Sequence, residues 1–473
     1  MLVARRLAVV LTLVPVFALG SAAHAGQRGS AGADAVIAWN ANAAEAAIAG
    51  CISPTEDPLN ETRMYAMAHV AIHDALNAID RRSAPYAWNG HAKRRTSPEA
   101  AVAAAARDVL APLLSGIADP FPPACGIAGV ASVEADYAAA LGAIPDGRAK
   151  ARGIAVGRAA AAAILRLRAA DGSDTPLVVT DYEQGTAPGV WRFTPGFDFA
   201  FAPGWGDVTP FVLRDSSQFR PGPPYALTAR KYTADFNEVK RLGGDGVTTP
   251  SARTADQTEV ARFWIENSPL QWNRIARSVA ARADLDVWDS ARLFGLLNLA
   301  LADGYIGSFD TKFEAYDFWR PVTAIRLADT DGNPDTDADP TWTPLDPTPP
   351  VPDHDSGHSV EGGAATQVLQ RFFGTDRARF AVCSYTLPAG SRCGDATAVF
   401  RSYSSFSQAR EENGLSRILV GYHFRKAVKD GIDHGRRIGD EAVDRFLRPV
   451  HHGRGHHRGG DHMAEHGAHL LAR

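Results

Sequence analysis

The chain has 473 residues, of which 45% are hydrophobic and 22% are charged, and its formal net charge is −4. This composition supports a large buried core in one or two domains and excludes a chain that is disordered throughout. The small negative charge excludes a general attraction for nucleic acids or acidic membranes, so we expect no nucleic-acid partner.

The first residues have the pattern of a secretory signal peptide. Arg5 and Arg6 precede an apolar run over 7–19, and an Ala-His-Ala sequence then ends at Ala25. The apolar run is too short for a convincing membrane span, and an uncleaved anchor is the alternative. We therefore expect cleavage near Ala25, a secreted or extracytoplasmic protein, and no stable membrane insertion.

Two helical stretches follow, at 33–50 and 63–80, and both place apolar residues at helical spacing. The second carries His69 and His73, which lie four residues apart on one helix face. Such a pair is half of a metal site. Because no acidic third ligand stands at a recognisable spacing, we favour a core helix whose histidines are satisfied by buried hydrogen bonds.

Alanine-rich helices continue the chain and are typical of a closely packed bundle scaffold. A hydroxyl cap at Ser97 followed by a proline predicts a helix start, and the predicted helices are 96–114, 133–141 and 149–170. The stretch 171–224 is rich in proline, glycine and aromatic residues, which is typical of lids and binding loops. A covering loop packed by its own aromatic side chains is the alternative.

Helical patterns resume at 228–242, 254–267 and 272–304. Apolar residues do not alternate in the way that strands require, so we predict an all-α fold.

The chain contains four cysteines, and the even number agrees with export to an oxidising compartment. Cys383 and Cys393 are close in sequence and look like the ends of a clipped loop. Cys51 and Cys125 would then pair by elimination, although four cysteines permit three connectivities and the sequence does not choose among them.

An acidic loop at 329–340 has aspartates at alternate positions beside Gly332. Calcium loops are similar, but here the glycine comes too early and no glutamate stands at the required position. A solvated loop is favoured, with weak Ca²⁺ binding as the alternative. The last stretch, 449–473, is rich in histidine, glycine and arginine, and we predict that it is disordered and holds no dedicated metal site.

Three short pieces between these regions share one chemistry, at 312–321, 355–359 and 416–423. They contain a lysine, two arginines, a Ser-Gly turn and two histidines. Guanidinium groups bind a tetrahedral oxyanion through paired hydrogen bonds, lysine adds a point charge, and amides at a glycine turn add neutral donors. The pieces therefore predict an oxyanion site.

The three pieces resemble the signature shared by vanadium-dependent haloperoxidases and type-2 phosphatidic acid phosphatases. In that family a Lys…Arg-Pro piece, a Ser-Gly-His piece and a Ser-Arg…His piece close around vanadate or phosphate. One spacing departs from the family, because seven residues instead of six separate Lys312 from Arg320. On an ideal helix this spacing would place the two side chains roughly 80° apart, and a bulged turn would restore their alignment.

The resemblance implies a role for each matching residue. His423 would ligate vanadium through a ring nitrogen, or attack phosphorus in a phosphatase. His358 would be the acid–base group. The residues that would bind the oxyanion are Lys312, Arg320, Ser356, Gly357 and Arg417.

Two further positions depart from the family. Val351, seven residues before the acid–base histidine, stands where chloride- and bromide-oxidising relatives tend to carry an aromatic or histidine side chain. Asp355 replaces the small or proline residue that is common before Ser-Gly-His, and it adds negative charge beside a site for anions.

The resemblance implies an exported vanadate-dependent haloperoxidase, which oxidises a halide with hydrogen peroxide to hypohalous acid and so halogenates a small organic substrate. The alternative is an acid phosphatase that hydrolyses a phosphomonoester through a phosphohistidine at His423. A non-catalytic oxyanion-binding protein is a third class, which the presence of His358 disfavours. We favour the haloperoxidase because 318–325 and 413–417 resemble long exported bacterial members.

The fold that the resemblance implies is a large helical bundle, built as two packed four-helix bundles with the anion between helices of the second. The domain plan is a signal peptide at 1–25, a helical part with its covering loop at 26–224, the site-bearing bundle at 225–448, and the histidine-rich tail at 449–473.

Overall fold

The computed structural model describes residues 34–117 and 120–450. The signal peptide expected at 1–25 and nearly all of the tail expected at 449–473 lie outside the described residues. The helices of the described part are α1 (Ala35–Ala49), α2 (Pro58–Ile79), α3 (Pro98–Ser115), α4 (Pro123–Gly142), α5 (Arg148–Leu167), α6 (Arg230–Leu242), α7 (Ala255–Phe263), α8 (Ser268–Ala283), α9 (Val287–Phe309), α10 (Pro321–Arg326), α11 (Gly357–Phe373), α12 (Phe406–Leu419) and α13 (Arg425–Arg445). The strands are β1 (Val178–Val179), β2 (Ala200–Phe201), β3 (Arg377–Cys383) and β4 (Phe400–Ser405).

Short polar side chains begin several helices where the sequence places them. Ser97 caps α3, as predicted, with its Oγ accepting a hydrogen bond from the Ala100 N–H at 3.2 Å. Asp57 caps α2 and Asp286 caps α9 in the same way. These oxygens satisfy N–H groups that have no partner within their own helix.

The helices pack in two groups that meet along α2 and α9. In the first group α3 packs against α2, α4 and α5, and in the second α11 packs against α9, α12 and α13. Small residues allow the close approach that was expected. At Gly157 of α5, a Cβ atom would lie 2.4 Å from the carbonyl oxygen of Ala101.

The histidines of α2 are core residues. His69 is hydrogen-bonded through Nε2 to Asn40 at 2.7 Å, and His73 bonds Asp74 at 3.0 Å and Ser83 at 2.6 Å. The predicted core helix is therefore confirmed.

The covering stretch 171–224 is fixed to α9 by one carboxylate. Asp303 is fully buried, and its two oxygens accept hydrogen bonds from the backbone N–H groups of Phe211, Val212 and Leu213 at 2.6, 2.7 and 2.8 Å. Trp191 is also fully buried. The stretch is thus packed by its own aromatic side chains and also anchored to the bundle.

The structure corrects three details of the predicted elements. The chain is mostly helical, but β3 and β4 form an antiparallel pair that was not predicted from the sequence. Inward and outward side chains alternate along β3. The helix predicted over 272–304 is broken at Asp284, whose φ of 52° is left-handed, and the helix predicted over 254–267 ends at Phe263.

Both expected disulfides are present, between Cys51 and Cys125 and between Cys383 and Cys393. The first closes a separation of 74 residues and links the end of α1 to α4. In the described part of the chain, α4 is the one helix long and apolar enough to span a membrane. Length and composition alone are weak evidence of a span, and α4 packs against α1 and α3.

Replacing Asp303 with alanine is expected to lower the free energy of unfolding by about 3 to 5 kcal/mol, because three buried N–H groups lose their acceptor. Chemical denaturation measures the change. Asp329→Ala, at an exposed aspartate of the acidic loop, is the control and should leave stability within about 0.5 kcal/mol of the parent. Equal stability of the two variants would contradict the anchoring role.

Candidate active site

The three sequence pieces meet at one cavity of about 500 Å³. The predicted residues that line it are Lys312, Arg320, Gly357, His358, Arg417 and His423. The seventh, Ser356, is fully buried at the start of α11, where its Oγ accepts a hydrogen bond from Ser359 at 2.9 Å. The backbone therefore brings the predicted set together from three segments spread over residues 312–423.

The extra residue between Lys312 and Arg320 is accommodated by a π-helical turn. Helix α9 continues into π-helical geometry over Asp310–Tyr316, and the N–H of Asp317 donates to the carbonyl oxygen of Lys312 at 2.8 Å. Asp317 is left-handed, with φ of 40°, and ends the helix. The expected bulge is thus present. Arg320 lies beyond it, immediately before α10, so the separation calculated for one continuous helix does not apply.

Arg320 is held by the main chain on two sides of the cavity. Its Nε donates to the carbonyl oxygen of Val351 at 2.6 Å, and its Nη1 donates to the carbonyl oxygen of Tyr422 at 3.0 Å. Burial lowers the pKa of Arg320 to about 10, and the charge of Asp353 opposes this shift. The guanidinium therefore stays charged at neutral pH.

Arg417 brings a second buried guanidinium to the cavity, from the last turn of α12. Its Nη1 donates to the carbonyl oxygen of Trp264 at 2.7 Å, and the group lies over the ring of Tyr422 at 4.9 Å. Its Nε is buried and has no hydrogen-bond partner among the described residues. A buried donor without an acceptor is costly, so an anion in the cavity would satisfy it.

Lys312 is also buried, but it faces carbonyl oxygens. Its Nζ donates to Pro352 at 2.8 Å and to Asp353 at 3.1 Å, and it makes a third, shorter contact to Asp355. Burial, followed by the charge of Arg320, lowers the pKa of Lys312 to about 7.

His423 does not lie on the helix that bears Arg417, which corrects the prediction that one helix carries both. Helix α12 ends at Leu419, and the chain turns at Gly421, whose φ is 90°. A Cβ atom there would lie 2.7 Å from the carbonyl oxygen of Gly243, so the turn requires glycine. The turn directs the histidine ring back toward the guanidinium groups.

Two hydrogen bonds orient the His423 ring. Its Nδ1 lies 2.9 Å from Oδ1 of Asp353, and its Nε2 lies 2.8 Å from Nη1 of Arg320. Burial and the nearby charges of Arg320, Lys312 and Arg417 hold the pKa of His423 well below its usual value. The ring is therefore neutral at physiological pH and keeps an unprotonated nitrogen.

His358 occupies the first turn of α11 and faces the same cavity. Its Nε2 is 3.1 Å from the carbonyl oxygen of Glu266, which can only accept, so Nε2 carries the proton and Nδ1 does not. Burial, followed by the charge of Arg417, lowers the pKa of His358 well below its usual value. The cavity thus contains a second neutral imidazole with an available basic nitrogen.

Two acidic residues near the site were not assigned roles from the sequence. Burial raises the pKa of Asp353 to about 7, whereas Arg320 and Lys312 act in the opposite direction. Burial also opposes ionisation of Asp355, yet its hydrogen bond with His434 brings the pKa below its usual value. The sequence shows both aspartates just before Ser-Gly-His, but the cations near them, Arg320 and Lys312, could be located only through the fold.

The remaining donors suit a tetrahedral oxyanion. Ser356 occupies the capping position of α11, and within the described ranges no side chain caps that helix. The first amide groups of α11 are therefore available where Gly357 reaches the cavity wall. Together with the guanidinium donors and a neutral imidazole, they match the ligand set of vanadate or phosphate.

The acidic loop gives no support to the calcium alternative. Asp331 accepts hydrogen bonds from Asn333 and Thr336 within the loop itself. Across residues 34–117 and 120–450, no group of three or more His, Cys, Asp or Glu side chains is placed to hold a metal ion.

Sequence comparison locates one known domain in the chain. Residues 292–452 match the family described as the VCPO second helical-bundle domain. The vanadium chloroperoxidase of Curvularia inaequalis is 27% identical over 281 residues, which are 47% of this chain and 45% of that protein. The matched segment thus spans less than half the length of that relative.

Structure comparison extends the likeness to most of the chain. A bacterial vanadium-dependent iodoperoxidase superposes with a TM-score of 0.69 and 24% identity, covering 89% of this chain and 98% of the other. An apo-type bacterial vanadium-dependent chloroperoxidase superposes with a TM-score of 0.66 and 18% identity, covering 83% and 95%. Residues 292–452 therefore resemble the second helical-bundle domain of vanadium chloroperoxidase, and most of the chain shares the fold of the vanadium haloperoxidase structures.

Proposed function

We propose that the protein is a vanadate-dependent haloperoxidase that uses hydrogen peroxide to oxidise a halide to hypohalous acid. The observation that carries this proposal is the neutral His423 ring, held between Asp353 and Arg320 at the floor of a cationic cavity. Vanadate ligation requires an unprotonated imidazole nitrogen among groups that neutralise the oxyanion. The likeness to a vanadium chloroperoxidase supports the same conclusion.

The residues that would hold vanadate are His423, through Nε2, together with Arg320, Arg417 and the amide of Gly357. Vanadate, when bound, supplies a Lewis acid that activates hydrogen peroxide without a change in the redox state of the metal. Arg417 suits this role because its Nε is buried and has no other acceptor in the described part of the chain.

His358 would move the proton of the peroxide. Its Nε2–H is held by the carbonyl oxygen of Glu266, so its unprotonated Nδ1 can accept a proton and return it later. A lowered pKa keeps this imidazole in the basic form. The group therefore has the protonation state that a general base needs before the reaction begins.

The apolar part of the cavity lining suits a small organic substrate. It is formed by apolar side chains that include Phe197, Phe199 and Phe201 of the covering stretch, and by Pro349 and Pro350. Aromatic and proline side chains favour an apolar molecule of limited size. We infer that such a molecule is halogenated close to the place where the hypohalous acid is formed.

We further propose that the protein is secreted or extracytoplasmic. The N-terminal signal pattern supports export, and the two disulfides agree with an oxidising compartment.

A paired assay tests the activity. After vanadate loading, the protein is expected to brominate a phenol-red-type dye with peroxide, and His423→Ala should lower the rate at least about 100-fold because the vanadium ligand is lost. His91→Ala, at an exposed histidine, is the matched control. Hydrolysis of a chromogenic phosphomonoester by the vanadate-free protein, inhibited by vanadate and without bromination, would assign the chain to the phosphatases instead.

A binding experiment tests the contribution of Arg417 to anion binding independently of catalysis. Arg417→Met is expected to weaken the binding of inorganic phosphate about 10- to 100-fold, because hydrogen bonds to a charged group contribute about 1.5 to 3 kcal/mol. Calorimetric titration measures the dissociation constant. Arg94→Met removes an exposed arginine and should leave it unchanged, and equal constants for the two variants would exclude Arg417 from the site.

A further inference from the structure

The hydrogen-bonding capacity of Lys312 is already used by the protein. An ammonium group has three N–H donors. The Nζ of Lys312 has an acceptor for each of them, in the carbonyl oxygens of Pro352, Asp353 and Asp355. The side chain is 1% exposed. In this arrangement its hydrogens point at the backbone of 352–355, so they are not directed at an anion in the cavity.

The π-helical turn explains this geometry. It inserts the additional residue between Lys312 and Arg320, and the two residues lie on different elements. The lysine remains in the turn that extends α9, whereas the arginine precedes α10. The departure from the family spacing therefore coincides with a lysine whose partners are backbone carbonyl oxygens.

The backbone of 352–355 is also fixed from other directions. The N–H of Asp353 donates to the carbonyl oxygen of Phe318 at 2.8 Å. The side chain of Asp355 accepts from Ser308 at 2.8 Å and bonds Nδ1 of His434 at 2.8 Å. Among the side chains that the structure describes, only Lys312 donates hydrogen bonds to three carbonyl oxygens of this stretch.

The stretch 352–355 in turn holds the ring of His423. Oδ1 of Asp353 accepts from Nδ1–H of His423 at 2.9 Å, and the N–H of Phe424 lies 3.4 Å from the same oxygen. Nη1 of Arg320 donates to Nε2 at 2.8 Å and favours the same tautomer, with Nε2 unprotonated. Moving the backbone of 352–355 would therefore keep the tautomer but remove the acceptor that fixes the orientation of the ring.

We propose that Lys312 is a positioning residue. Its ammonium fixes the backbone of 352–355 so that Asp353 holds His423 with Nε2 directed at the oxyanion, and the oxyanion itself is bound by Arg320 and Arg417. The proposal rests on the proposed oxyanion site, but it is independent of whether the bound oxyanion serves halogenation or phosphate transfer.

The test compares Lys312→Met, Asp353→Ala and the double variant. Inorganic vanadate and inorganic phosphate are the probes, and their dissociation constants are measured by calorimetric titration. Isotope-labelled histidine reports the ring protonation of His423 by nuclear magnetic resonance, with His423→Gln identifying its signals. No activity enters either measurement, so failure of the proposed halogenation would not affect the result.

We expect each single variant to weaken oxyanion binding about 10-fold, and the double variant to bind about as weakly as either one, because both act through the same ring. Both single variants should shift the Nδ1–H signal of His423 in the same direction, because that proton loses its carboxylate acceptor. Asp353→Asn keeps an oxygen that can accept from Nδ1, so it should shift the signal less and retain most of the affinity.

A direct anion contact by Lys312 predicts the opposite pattern. Weaker binding in Lys312→Met with an unchanged His423 ring, and about 100-fold weaker binding in the double variant, would overturn the proposal. Unchanged affinity in Lys312→Met would also overturn it. Lys240→Met is the matched control, since Lys240 donates to a single carbonyl oxygen away from the cavity. Lys312→Gln, which keeps two N–H donors, replaces the methionine variant if thermal unfolding shows that variant to be misfolded.

Discussion

Two guanidinium groups and an ammonium group are buried together at the floor of one cavity. Arg320, Arg417 and Lys312 are each no more than 2% exposed. Taking such charges out of water is costly, and the cost must be offset by close acceptors. Much of the local backbone serves this purpose, because carbonyl oxygens from several separate segments point at these three side chains.

This constraint explains why the site residues lie where regular structure stops. A helix or a strand uses its own carbonyl oxygens, so it has few to offer a buried cation. The irregular stretch that precedes α11, the glycine turn after α12 and the segment between α7 and α8 supply these carbonyl oxygens. His423 and Asp353 lie in two of these stretches, which is why they can meet.

The sequence predicted the mainly helical fold, both disulfides and a shared cavity for most of the site residues. These succeeded because helical periodicity and short motifs are local signals. The pairing of β3 with β4 was missed because β4 buries only Tyr403 and so has no alternating apolar pattern, and alanine on both faces of β3 obscures its alternation. The placement of His423 beyond α12 was missed because a helical spacing pattern runs through Gly421, and only the contact with Gly243 reveals the turn there. Asp353 had no motif to mark it, and its importance depends on two cations and the His423 ring, all brought by other segments.

The uncapped start of α11 and the unsatisfied Nε of Arg417 have a consequence for the choice between anions. They specify a shape and a charge, and vanadate and phosphate share both. Because both anions would bind the same site, mass action would set which one occupies the cavity. Phosphate in the surroundings would then compete with vanadate, and the fraction of molecules carrying vanadate would depend on the affinities and concentrations of the two anions.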